Sequence, residues 1–420
     1  MTISEAFPRY EQYDPKVPVW CVTPHEGRCL HRFFDTPAFS PSGRYLAVLR
    51  LPFEDRIAQA GETAEVVLVD LAEGGERVVA ETAGWEPQMG ANINWGADDH
   101  TLLFNDVDTG TWTPLLVRLD PLTGACRRTP GGIYQASPDG RHCSSSSMER
   151  MRRTQIGYGL VLPDEHTPRN IGAPDDDGLF ITDVDTGRRK LVFSLAEAVT
   201  LIPELDGADL DDWEIYGFHS KWNPQGDRLI FTVRRFLKRH PQRFNVLHDG
   251  VLRFDVFTIR PDGSEPHNAV PAVAWCKGGH HINFCPDGDH LSMNLAAFAD
   301  TMRFTTVRYD GWGLRPYHWD VPGSGHPTVH PDGRHILTDT YAAERAAYGD
   351  GTIPLRWFDR RTGEVANVVR ICSLVEPKGH PALRVDAHPA WDRSWRWVVF
   401  NGVAGNTRRV YVADFGELLG

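Results

Sequence analysis

Short runs of alternating apolar and polar residues recur along the chain, each broken by a tight turn of the Pro-Asp-Gly kind. The unit reads TPAFSPSGRYLAVLR from Thr36, NINWGADDHTLLFND from Asn92, IYQASPDGRHCSSSS from Ile133 and HSKWNPQGDRLIFTV from His219. It continues as HINFCPDGDHLSMNL from His281, HPTVHPDGRHILTDT from His326 and HPAWDRSWRWVVFNG from His388, seven copies in all. Alternation with a period of two is the mark of a half-buried strand, and the turn residues tolerate the backbone angles of a tight hairpin. Each copy therefore predicts a β-hairpin.

Between these copies lies a second unit, an apolar strand ending near an Asp and a Gly turn: VVLVDLAEGG, LLVRLDPLTG, FITDVDTG, VFTIRPDG, TTVRYDG, LRWFDRRTG and VYVADFG. Two hairpins per repeat predict a four-stranded antiparallel blade, and seven blades close into a β-propeller without long exposed edges. The fold class is all-β, with residues 1–420 as a single propeller domain. The last copy has no residues left for an outer strand after Phe415, whereas VPVWCVTP at 17–24 precedes the first copy. The N-terminal strand is expected to complete the last blade.

Composition fits this reading: 39 Gly and 30 Pro are spread along the chain and 13 Trp are present. The 44 Lys and Arg against 56 Asp and Glu give a formal charge of −12, which argues against a nucleic-acid partner or a membrane-attracted surface. The start MTISEAFPRYEQYD lacks a secretory pattern and no run reaches membrane-spanning length, so cytoplasm is the expected location. The 7 cysteines form no C-x-x-C pair and read as small apolar residues. No G-x-S-x-G elbow, phosphate loop or dinucleotide motif is present.

The long connections are 51–64, 148–177, 193–218 and 234–252, almost all on the blade face that holds the second-to-third-strand loops and the blade-to-blade links. Elaborated loops on a rigid scaffold are where binding and catalysis concentrate. Four successive blades also begin their inner strands with histidine: His219, His281, His326 and His388. One such histidine, His219 above all, can be structural; four together point to a site at the channel mouth, as metal ligands or a general base. In Arg384-Val-Asp386-Ala-His388, strand alternation puts Asp386 beside His388, and with His326 they suit a divalent ion, Mn2+ first and Ca2+ as the alternative. The competing reading has Asp386 simply orienting His388. Alternation also predicts that His280 faces away from His281. Arg234 and Arg253 are candidates to clamp a carboxylate, and His219, Asn92, Arg152 and Arg153 to bind substrate.

The stretches HINFCPDG, GHPTVHPDGRHILTDTY and RVDAHPAW…RRVYVADF resemble the C-terminal half of oligogalacturonate lyases and related uronate lyases, including L-rhamnose-α-1,4-D-glucuronate lyases. The resemblance implies β-elimination on a uronate-containing oligosaccharide, with His281 at the position of the base and His326 and His388 at positions of metal ligands. Where those lyases carry a further histidine this chain has Asp386, and where they carry a glutamine ligand it has Leu383. A non-catalytic TolB-like propeller that binds a protein partner, or another sugar or lactone enzyme on the same scaffold, are the alternatives. Clustered channel histidines favour the enzyme readings.

Overall fold

Seven four-stranded antiparallel sheets form a ring in the computed structural model, which describes residues 1–239 and 251–419. Each sheet is one predicted blade. In blade 5, for example, Gly279–Phe284, His290–Leu295, Arg303–Arg308 and Arg315–Pro316 pair in that order from the channel outward. The loop expected at 234–252 lies partly outside the described residues. No helix among the described residues is long and apolar enough to cross a membrane.

Buried apolar side chains collect between blades, as expected when strands alternate and both faces of each sheet are covered. Val48 and Val67 of blade 1 pack with Val399 and Val412 of blade 7. Leu49 and Val66 use the other face of the same strands to meet Trp95 and Phe104 of blade 2. The turns join this packing: a Cβ at Gly140, whose φ is +69°, would stand 2.2 Å from the Ala97 nitrogen of the neighbouring blade.

The ring closes as the sequence predicts. Val19–Cys21 pairs with the third strand of blade 7, Val19 opposite Ala413 and Cys21 opposite Tyr411. The cysteines are all free; Cys126 and Cys276 are exposed, the other five buried or half-buried.

Blade 1 departs from the expected register. Its inner strand begins at Cys29–Leu30, paired with Arg50 and Leu49, and the chain rejoins the ladder only at Phe39, bridged to Leu46. Thr36 therefore does not open the strand. Residues 31–37 leave the ladder, and Phe33 and Phe34 meet the channel histidines, Phe33 lying 5.9, 5.9, 5.5 and 4.6 Å from the rings of His219, His281, His326 and His388. Below them Lys221 and Asp35, both fully buried, form an ion pair at 2.8 Å. These side chains plug the channel.

Candidate functional site

On the elaborated side of the plug lies a cavity of about 400 Å3, lined by His219, His280, His281, Arg234, Tyr341 and Arg384 among others. Local backbone irregularities aim these side chains. The inner strands of blades 4 and 5 carry register shifts at Gly217–Ser220 and His280–Asn283, so consecutive residues there no longer alternate cleanly. His281 and His388, like Asn92 at the equivalent position, have φ values of 60°, 49° and 50°, a left-handed conformation unusual for residues with a Cβ.

One expectation is corrected here: His280 does not face away from His281. The bulge brings both rings to the same cavity, with Nδ1 atoms 2.8 Å apart. Nδ1 of His281 also lies 2.6 Å from the Gly325 carbonyl oxygen, which can only accept a hydrogen bond. That contact puts the proton on Nδ1 and leaves Nε2 as the lone-pair atom, 3.3 Å from the Tyr341 hydroxyl. Burial, reinforced by the charge His326 and His280 would carry, pushes the His281 imidazole well below its usual range. It is neutral at physiological pH.

His326 stacks beside His281 with centroids 3.8 Å apart and meets His388 edge-on at 4.3 Å. Asp339 holds the set from behind. Its oxygens lie 2.8 and 3.0 Å from Nδ1 of His326, and it accepts from the backbone nitrogens of His326 and His388 at 2.8 and 3.1 Å. Burial alone would raise the Asp339 carboxyl, but His326 and these N–H groups outweigh it and hold the group ionised. Nε2 of His326 and both ring nitrogens of His388 are buried without a hydrogen-bond partner. Ligand atoms of His326, Asp386 and His388 all lie within 4.8 Å of one another, so these residues can share one ion. Asp386 is also held by Arg384 at 2.8 Å and sits 3.7 Å from Nε2 of His388. Leu383, buried close by, adds no side-chain ligand.

Arg234 is 6 % exposed, and no carboxylate pairs with it among the described residues. Its guanidinium lies over Phe218, 3.3 Å from the centroid, and 4.9 Å from that of Phe254, donating to Thr154 and Gln155 at 3.1 and 3.0 Å. Burial pulls its pKa down to about 9. His219 also lines the cavity, its ring stacked 4.1 Å from that of Phe218 and its Nε2 unpartnered.

The other sequence candidates sit elsewhere. Asn92 is buried and accepts from Arg32 at 3.1 Å. Arg152 is paired with Glu86, on the link between blades 1 and 2, at 2.5 Å, and Arg153 with Asp164, within the insertion at 148–177, at 2.9 Å. Arg253 is exposed, and strand alternation gives the cavity its neighbour Phe254 instead. What sequence reasoning missed is Arg384, Tyr341 and Tyr158, which line the cavity, and Asp339 behind His326. Three of these stand in or beside the quoted stretches around His326 and His388, but inner-strand counting does not reach them.

No protein-family model matches the chain, and no curated protein sequence matches it either. Among solved structures, an oligogalacturonate lyase in complex with manganese is similar over 100 % of this chain and 98 % of its own, with a TM-score of 0.64 and 15 % identity. An oligogalacturonate lyase from Vibrio parahaemolyticus is similar over 100 % and 99 %, with a TM-score of 0.63 and 14 % identity. The tricorn protease is similar over 93 % of this chain and 33 % of its own, with a TM-score of 0.50 and 11 % identity. At such identities the likeness speaks for the fold: this chain is a seven-bladed β-propeller built like those of the oligogalacturonate lyases along its whole length.

Proposed function

We propose that the protein is a lyase that cleaves a uronate-containing oligosaccharide by β-elimination. The observation that carries this reading is the pairing, in one cavity, of a neutral imidazole whose lone-pair atom is Nε2, His281, and a buried guanidinium without a carboxylate partner among the described residues, Arg234. A buried cation in want of a counter-ion is a receptor for an anion, and a planar guanidinium matches a carboxylate.

In this reaction Nε2 of His281 takes the proton from C5 of the uronate. The electron pair of that C–H bond becomes the C4–C5 double bond as the C4–O bond breaks, and the departing oxygen takes a proton from water while His281 returns its own to solvent. Charge grows on the carboxylate while the C5 proton leaves, so groups that stabilise it there lower the barrier. Arg234 serves that purpose, with Arg384 lining the same cavity. His326, Asp386 and His388 would hold a divalent cation, which when bound would draw further negative charge from the carboxylate. Tyr341 keeps the His281 ring in place.

The test is incubation with a panel of uronate oligosaccharides of galacto and gluco configuration, with manganese supplied, watching the ultraviolet absorbance of the unsaturated product. The expected result is a protein-dependent rise with at least one member. No rise with any of them overturns the reading.

A further inference from the structure

Arg384 and Asp386 form a pair that belongs at once to the large cavity and to the histidine cluster. Nε of Arg384 donates to Oδ2 of Asp386 at 2.8 Å, and the same oxygen lies 3.7 Å from Nε2 of His388. A space of about 10 Å3, room for one small ion or water, is lined by Arg384, Asp386 and His388 among others. The carboxylate that completes the cluster is thus already engaged by a cation.

The neighbouring charges single this cation out. Arg408 lines the same small space and is matched by Glu54 at 2.9 Å, and Asp339 faces His326 at 2.8 Å. Arg384 has Asp386 as its one carboxylate partner among the described residues. The Asp386 side chain is 6 % exposed and that of Arg384 34 %, and Arg384 lines the large cavity together with Arg234 and His281. One member of the pair is fixed in the interior, and the other reaches the side where substrate would enter.

A neutral partner that orients a metal ligand ordinarily raises affinity for the ion. A full positive charge acts in the opposite sense, because the guanidinium offsets the charge of Asp386 and repels a second cation across a short distance. An outside carboxylate changes that balance. The planar guanidinium takes carboxylates in fork geometry, and an anion bound to it neutralises the charge that holds Asp386. We propose that Arg384 is a latch on Asp386: alone it holds Asp386 back from a divalent cation at His326 and His388, and a uronate carboxylate taken onto Arg384 releases it. Cation and uronate then bind with positive coupling, each tightening the other. This inference rests on the reading that the cavity takes a uronate, but its test needs no turnover.

The test is manganese binding by the intact protein, read from the electron paramagnetic resonance of free Mn2+ against protein-free blanks. It is run with and without sodium D-galacturonate or sodium D-glucuronate at about 50 mM, and with methyl α-D-glucopyranoside as the neutral control. At least one uronate should tighten manganese binding by about tenfold, and the neutral glycoside should leave it unchanged. In Arg384→Gln, manganese should bind about threefold or more tightly without sugar, and the response to uronate should largely vanish. Arg384→Met serves the same purpose if the glutamine variant does not fold. Asp386→Asn should weaken manganese binding and also lose the response. No response to either uronate in the parent overturns the coupling and counts against a uronate in this cavity. A uronate response that survives Arg384→Gln in full, or manganese binding that this substitution leaves unchanged or weakens, overturns the latch alone and leaves the uronate reading standing. No manganese binding in any of these samples overturns the latch outright.

Discussion

The carbonyl oxygen of Gly325 lies 2.6 Å from Nδ1 of His281 and thereby fixes which ring nitrogen carries the proton. A backbone acceptor from the approach to blade 6 thus selects the tautomer of a side chain on blade 5. Proton abstraction by Nε2 follows from that contact. His281→Ala should therefore lower turnover by about a hundredfold or more with KM and melting temperature little changed, since it removes the acceptor alone. His280→Ala should cost less, because His280 contributes through its contact with His281. Steady-state kinetics of the two variants decide it: near-full activity in His281→Ala, with loss in His280→Ala or His219→Ala, would reassign the base.

Asp339 orients His326 from the side away from the other ligands. Asp339→Asn should keep the ring near its place while weakening its basicity, and should lower manganese affinity by about tenfold to a hundredfold. Titration calorimetry with manganese reads this directly. Equal affinity in the variant and the parent would mean that the cluster does not hold the ion.

Arg234 has no internal carboxylate to lose, so its replacement leaves no buried anion behind. Arg234→Gln should lower kcat/KM by more than about a hundredfold, as removal of a charge-stabilising donor commonly does. Arg234→Lys should not restore the rate, since a lysine cannot present the planar fork. Full rescue by lysine would argue for a point-charge role instead.

The histidine-rich mouth should make the metal-free protein sensitive to mild acid. Burial depresses His31 to about 4 and His280 to about 3, and holds His219 well below the ordinary imidazole value. Their folded-state pKa values thus lie below the unfolded ones. Below pH ~6.5 the unfolded chain binds protons that the folded ring refuses, and each such group costs about 1.4 kcal/mol per pH unit. Stability should be fully present above that pH and fall as pH drops through it. Replacing His219 by Phe removes one of these groups, so melting curves between neutrality and mild acid should show a shallower decline. An unchanged slope would mean that His219 is not held neutral by its surroundings.

The strand at Val19–Cys21 is the final strand of blade 7, and Val17, Val19 and Val22 are buried. Deleting residues 1–24 exposes the edge of Thr407–Asp414 together with these apolar contacts. At about 1.5–3 kcal/mol for each buried valine and about 1 for each ladder hydrogen bond, the loss is comparable with the whole stability of a domain. The truncated chain should lose its cooperative thermal transition, as followed by circular dichroism. A deletion variant that still melts sharply near the parent temperature would refute this account of closure.

The sequence by itself determined the ring. Alternation and turn residues are local properties, so seven hairpin pairs, their order and the closing N-terminal strand could all be read from spacing. Inner-strand histidines were legible for the same reason, since position within a repeat sets which end of the channel a residue occupies. The arginines were another matter. Arg152 is drawn into an ion pair with Glu86 of the preceding link and Arg153 into one with Asp164 of its own insertion, whereas Arg384 reaches the cavity, and only the folded links between blades decide that. His280 and His281 share a cavity because a bulge breaks the alternation that would separate them, and a bulge depends on the partner strand. Phe33 and Phe34 plug the channel only because blade 1 leaves its ladder there. Contacts between residues distant in sequence made these choices, and no single repeat contains the information for them.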